Sequence, residues 1–370
     1  MYETILDPEK LAADVVDTVR AGTQAPLSDC VKTARIVFET LLQHTNDDVL
    51  RKVSGILVNF QPNLLECFDA RLLGTLRDRL DDWLSEKAEL SYSISQQDDA
   101  YIDDLNTFSN VAEKTDPRIP QAVIAVNDYE FLYKLNNLYI MDQSQEVRLA
   151  SIRLLSTLAS FLPTVICCLI ETKLPMVLAP AITSSRYSKE EKSLCIKLLD
   201  MMAMSGQEFP LHHLSCFNDV FFSKLSNLHD DKSAIQLFAN IYANTPQEVK
   251  DFALTTLRSN KNANFGQHLI DFANLKGGLP SITLLKELLS SSPEEVDDLF
   301  YRNDLTVAST VVSRELLNSE KREVRVKCLE CIGALADLGL NDYSMRDAVE
   351  NCDVVGEEEL IEEIKQKLNQ

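Results

Sequence analysis

Glycine and proline are scarce enough in this sequence to restrict its fold before any motif is sought: 10 glycines and 12 prolines stand among 370 residues. That is about 6% of the chain, roughly half the usual share of the residues that build tight turns. No Asn-Gly or Asp-Gly pair occurs, so the strongest short hairpin signal is missing. An all-β sandwich or barrel is therefore not expected. Neither G-x-G-x-x-G nor G-x-x-x-x-G-K-[ST] is present, which removes the glycine loops that cradle phosphates in nucleotide enzymes.

Helical periodicity fills the space that turns leave. Leu64, Leu65, Phe68, Leu72, Leu73, Leu76, Leu80 and Trp83 fall mostly three or four apart, which draws one apolar stripe along a long amphipathic helix. The opposite face carries Arg71, Arg77, Asp78, Arg79, Asp81 and Asp82. Leu149 to Phe161, Leu194 to Met204, Ile235 to Ala243 and Leu284 to Leu289 repeat the pattern. Helix starts are written in capping chemistry: Thr245-Pro246-Gln247-Glu248 and Ser292-Pro293-Glu294-Glu295 each place a hydroxyl, a proline and then Glu three residues after the hydroxyl. Ser188 to Glu191 is a third box without proline, and Asp7-Pro8 opens the first helix.

Helix starts at Ser144, Ser188 and Asp231, and again at Thr245 and Ser292, recur at spacings near the roughly 40–47 residues of armadillo and HEAT repeats. The expected fold is all-α: an armadillo/HEAT-like helical repeat array, or α-solenoid, in which each helix pair is apolar on a face it buries against its neighbours. The polar run from Glu89 to Asp104 reads as a loop or linker, and Pro117 and Pro120 mark a second break. The expected organisation is an N-terminal helical unit over 1–120, with that polar loop near 89–104, and an armadillo-like array over 121–370 ending in an acidic cap helix.

The net charge is −21, which opposes non-specific attraction to nucleic acid or to an anionic membrane. No stretch approaches 18 apolar residues, because Pro163, Pro175 and Pro180 interrupt the longest ones. The first residues, Met1 to Ile5, carry no secretory or myristoylation signal. Nine scattered cysteines read as reduced thiols inside apolar patterns. Together these imply a cytosolic or nuclear protein with no membrane insertion and no nucleic-acid partner.

Catalytic and metal constellations are missing from the pattern. The histidines at 44, 212, 213, 229 and 268 form no H-E-x-x-H motif, and His212-His213 beside Pro210 reads as a solvated loop end. Cys328 and Cys331 have C-x-x-C spacing but no second pair, and both fall on the apolar stripe of one helix, so core packing is their expected role. Asp81-Asp82, Asp103-Asp104, Asp230-Asp231 and Asp297-Asp298 are adjacent and point apart on a helix, as solvated faces do. No catalytic residue, metal, cofactor or small-molecule substrate is expected. Arg258 and Lys261 flank a loop with no acid between Asp251 and Asp271, an unpaired basic spot suited to an acidic partner.

Four segments between Glu146 and Leu338 resemble the leucine-rich armadillo-like domain of the WISH/DIP family, activators of the actin-related protein 2/3 complex. The first is Glu146 to Leu155 followed by Leu174-Pro175-Met176-Val177-Leu178-Ala179. The second, Asn262 to Leu275, sets an Asn/Ala-rich loop before a phenylalanine and an apolar helix. The third joins Leu284 to Ser292, the corner Phe300-Tyr301-Arg302-Asn303-Asp304, and Val311 to Leu316. Glu323-Val324-Arg325 is the fourth. The chain lacks the Src-homology-three module and proline-rich segment of larger members, and so is similar to a short, fungal-type one.

The resemblance implies a non-enzymatic protein that binds the actin-related protein 2/3 complex and switches it on without a pre-existing mother filament. The product would be a linear filament that seeds branched networks at endocytic sites, which places the protein in cortical actin patches. Other activators carry a tryptophan in an acidic tail, whereas the one tryptophan here is Trp83. Within the resembling segment, charge and position nominate Arg258, Lys261, Arg302 and Arg314 as partner-binding residues. The alternative is a generic armadillo/HEAT scaffold, such as a phosphatase, microtubule or transport adaptor.

Overall fold

A computed structural model describes residues 7–95, 97–228, 231–276, 278–352 and 356–369. His229, Asp230 and Met1 to Ile5, singled out above, lie outside the described residues. Among the described residues the chain forms 21 α-helices, one 3-10 helix and no strand. It divides into two compact units, residues 1–169 and 170–370.

The first unit opens with α1 (Pro8–Thr23), α2 (Leu27–His44), α3 (Asp48–Val58) and α4 (Phe68–Glu89). It continues through α5 (Asp98–Ala112), α6 (Arg118–Ile124), α7 (Glu130–Met141), α8 (Gln145–Phe161) and α9 (Pro163–Ile170), whose last residue falls in the second unit. Asp7 caps α1 by accepting from the Glu9 amide at 3.0 Å, with Pro8 in the first turn. Ala12, Val16, Cys30, Ala34, Phe38, Val53 and Leu57 close a core among α1, α2 and α3. A buried ion pair ties this trio onward: Arg20 Nε lies 3.0 Å from both carboxylate oxygens of Asp69 on α4.

The stripe read along α4 buries Leu73, Leu76, Leu80 and Trp83, each fully buried leucine worth about 1.5–3 kcal/mol. Leu64 and Leu65 precede the helix in a turn, and Leu65 is 78% exposed. The polar run at 89–104 is only in part a loop, since α5 begins at Asp98. Burial of that carboxylate against Lys87 at 2.9 Å anchors the start of α5. Helices also pack across the boundary expected at 120/121: α4 lies against α6 and α7, and α5 against α8.

The second unit contains α10 (Leu174–Thr183), α11 (Lys189–Ala203), the 3-10 helix Leu211–Cys216, α12 (Asp219–Ser226), α13 (Lys232–Asn244) and α14 (Gln247–Asn260). After these come α15 (Ala263–Lys276), α16 (Leu279–Leu289), α17 (Pro293–Leu299) and α18 (Arg302–Asn318). The last three are α19 (Arg322–Asp337), α20 (Tyr343–Asn351) and α21 (Glu358–Leu368). One ladder of neighbours runs α11, α13, α16, α19, α21. Its first four members begin at Lys189, Lys232, Leu279 and Arg322, a repeat of about 45 residues. A second layer, built from α10, α12, α14, α15, α17, α18 and α20, covers its side. This is the helical-repeat architecture of the armadillo/HEAT type: each ladder helix buries its apolar face on the next, and α21 closes the end by burying Ile364 and Leu368.

Most written helix starts form as expected. Ser144 accepts from Val147 at 3.4 Å, Ser188 from Glu191 at 3.1 Å, and Ser292 completes a reciprocal box with Glu295. Thr245 does not cap α14; its buried hydroxyl donates back to Ile241 O at 2.6 Å and Pro246 takes the cap position. Pro180 sits inside α10 instead of ending it. No single helix among the described residues is long and apolar enough to cross a membrane.

Candidate protein-docking surface

The nominated residues cluster by element but not as free cations. Arg258, in the last turn of α14, donates from Nη2 to Ser291 Oγ at 2.9 Å and lies 3.7 Å from Glu295. Lys261 adopts the left-handed conformation that closes α14 (φ 48°) and pairs with Asp298 at 2.9 Å, which raises its pKa through that hydrogen bond. The basic spot is thus neutralised by acids of α17, more than thirty positions away and invisible to a local reading. Arg314 bridges two helices by donating to Asn274 Oδ1 at 2.8 Å and to Asn274 O at 3.1 Å, with Glu315 at 2.9 Å. Arg302, by contrast, is exposed at the start of α18.

The Phe300-to-Asp304 corner connects these elements. Phe300 is buried, and its ring fits where Gly266 of α15 leaves no side chain. The next residue turns outward, with Tyr301 57% exposed. Asp304 accepts from the Tyr301 amide at 3.2 Å, fixing the first turn of α18 and spending its carboxylate internally. Arg302, Asn303, Thr306, Val307, Thr310 and Leu317 then line the outer side of α18 with no exposed carboxylate among them. Val307 and Leu317 escaped the sequence reading, although the 3.6-residue period places both away from buried Leu305, Ala308 and Val312.

Other nominated groups resolve into structure. Cys328 and Cys331 are buried; burial pushes the Cys328 thiol up to about 12 and the Cys331 thiol well above its ordinary value. Asp104 is not a solvated face: it is buried, pairs with Arg79 at 2.7 Å, and is raised by desolvation. Asp81 pairs with Lys134 at 2.9 Å. Among the described residues no group of three or more His, Cys, Asp or Glu side chains is placed to hold a metal ion.

His213 also departs from a solvated loop end. It is fully buried in the 3-10 helix, its ring meets His212 at 4.2 Å, and neither ring nitrogen has a hydrogen-bond partner among the described residues. Desolvation lowers its pKa, His212 adds to that, and Glu171 opposes it. The unfolded chain therefore takes up this proton first, so stability is retained above about pH 6.5 and falls as pH drops toward the depressed native value. In urea unfolding at pH 7 and pH 5, His213→Leu is expected to lose less stability on acidification than the unaltered protein. An equal loss would assign the slope to other groups.

No family model matches the sequence, and no curated protein matches it. Solved structures give distant likenesses. A designed armadillo repeat protein is 18% identical, with a TM-score of 0.40 over 64% of this chain and 98% of its own. A second, in complex with peptide (KR)4, is 16% identical, with a TM-score of 0.42 over 71% of this chain and 99% of its own. An engineered protein is 15% identical, with a TM-score of 0.43 over 72% and 96%. The repeat architecture itself rests on the helix ladder described above.

Proposed function

We propose that this protein is a non-enzymatic regulator of actin nucleation that binds and activates the actin-related protein 2/3 complex without a mother filament, at cortical actin patches. The observation that carries the reading is the Phe300-to-Asp304 corner, in which the resembling residues divide into a buried plug and an exposed Tyr301-Arg302 edge. On this reading α18 offers the partner an acid-free face, and activation follows from tighter binding to the complex's active arrangement. A ladder of packed helices presents a rigid surface, which suits such a role because little ordering entropy is lost on docking.

Pyrene-actin assembly with purified complex, and without preformed filaments or another activator, tests this directly. Acceleration and linear single filaments are the expected result; no acceleration overturns it. The double variant Y301A/R302E is expected to raise the concentration needed for half-maximal stimulation by about tenfold, the loss typical of a central aromatic and arginine contact.

The second reading is a general helical-repeat scaffold for another protein complex, which the architecture supports by itself. Affinity capture separates the two, since recovery of actin-related proteins is expected only for the first.

A further inference from the structure

A preformed groove of about 570 Å³ lies in the first unit, outside the segment that resembles the actin regulators. Its apolar lining comes from Leu27 and Val31 of α2, Leu57 and Val58 at the end of α3, and Phe60 and Pro62 beyond it. The far wall is the 113–116 segment after α5, fixed by the Leu27 amide donating to Lys114 O at 3.0 Å. Val58 remains 57% exposed on this lining, so the chain does not cover it.

The charges around the groove are unequal in their availability. Of the two lining carboxylates, Asp116 is held by Arg118 at 2.8 Å, and that hydrogen bond keeps its carboxyl below the usual range. Glu113 is exposed and accepts from the Thr157 hydroxyl at 3.2 Å. Two of the three lining cations are held only in exposed pairs. Lys32 sits 3.4 Å from Asp29 and Arg35 3.3 Å from Glu39, pairs exposed enough to be worth little. Lys114 is exposed on the third side. In a chain of net charge −21, an acidic partner is repelled by most of the surface and attracted where cations surround an apolar floor.

We propose that this groove is a docking site for an acidic amphipathic helix of a partner protein. Apolar side chains one turn apart enter between Val31 and Val58, while flanking carboxylates meet Lys32, Arg35 and Lys114, a helix-in-groove mode of recognition.

The test uses a fluorescein-labelled synthetic helix with Leu at i, i+3, i+4 and i+7 flanked by Glu, read by fluorescence anisotropy against the full chain. Saturable binding that weakens as salt rises is expected, because the contacts sit at a screened surface. Val58→Asp and Lys114→Glu should each weaken it about tenfold or more, the effect of losing a central contact. Both side chains are exposed, and an unchanged thermal midpoint confirms that each variant folds. The proposal is overturned by absent saturation, by equal binding of a probe carrying Lys in place of Glu, or by equal binding of one carrying Ser in place of Leu. Insensitivity to both substitutions overturns it too. Neither position falls within 146–338, so the outcome is independent of the actin assay.

Discussion

Lys87→Met is expected to cost about 3–5 kcal/mol of folding stability, the penalty for removing one partner from a buried ion cluster. The ammonium has three protons and uses all three: Nζ lies 2.9 Å from Asp98 Oδ2, 2.9 Å from Asp142 Oδ2, and donates to Ser93 O at 2.8 Å. All three charged side chains are buried, and the ammonium lies 5.7 Å from the Trp83 ring centroid. Methionine matches the length and leaves two carboxylates facing each other without compensation. The damage would spread along the chain, because Asp98 also accepts from the Ser95 amide at 3.0 Å and Asp142 from the Ser144 amide at 2.8 Å. The Ser93 carbonyl, the Ser95 amide and the start of α8 are therefore held by the same cluster. Urea unfolding checks the magnitude. The triple variant K87M/D98N/D142N should recover much of the loss, since the three changes share partners and cannot be additive. Asp98→Asn alone should cost far less, because it leaves one cation facing one anion. A loss below about 1 kcal/mol for Lys87→Met would mean that water reaches the site and screens it.

That cluster also marks where the sequence stopped being legible. The helices were readable because their period and their caps are local: Ser188, Ser292 and Asp7 each act on an amide two or three residues away. The apolar residues of α4 likewise announce their face within a few turns. Pairing between distant helices has no such signature. Nothing near Lys87 in the sequence announces its pairing with Asp142, and Glu89 to Asp104 reads as linker until Asp98 is buried. Arg258 and Lys261 look unpaired because Glu295 and Asp298 lie on a later helix. Thr245 shows the limit even of local chemistry, since its hydroxyl had two helices to serve and bonds the one behind it. His213 followed the same logic, a polar residue whose burial depends on packing within its unit. The scarcity of glycine was informative in bulk, yet the glycine with the largest structural consequence is a single residue inside a helix.

Gly266→Ala should destabilise the protein by about 3 kcal/mol, the upper end of ordinary overpacking. A Cβ placed there would stand 2.0 Å from Leu299 O and 2.8 Å from Phe300 Cδ1. The first contact decides the outcome: a side chain can rotate, but the carbonyl belongs to the end of α17 and moves only with its backbone. Intrinsic propensity works in the other direction, favouring alanine in a helix interior by about 1 kcal/mol. The sign of the measured change therefore reports which effect wins. Destabilisation confirms the close crossing of α15 and the α17–α18 corner, and stabilisation would place them further apart. Phe300→Leu added to Gly266→Ala is expected to rescue little, because shrinking the ring leaves the backbone contact in place. Any shift that accommodates the new methyl group also moves Tyr301 and Arg302, which follow Phe300 directly in the chain. On the proposed actin reading, Gly266→Ala should then weaken stimulation at a temperature where it remains folded, although residue 266 has a buried neighbourhood and no solvent-facing side chain to contribute. Full stimulation by a folded Gly266→Ala protein would uncouple the corner from docking and turn attention to the remaining length of α18.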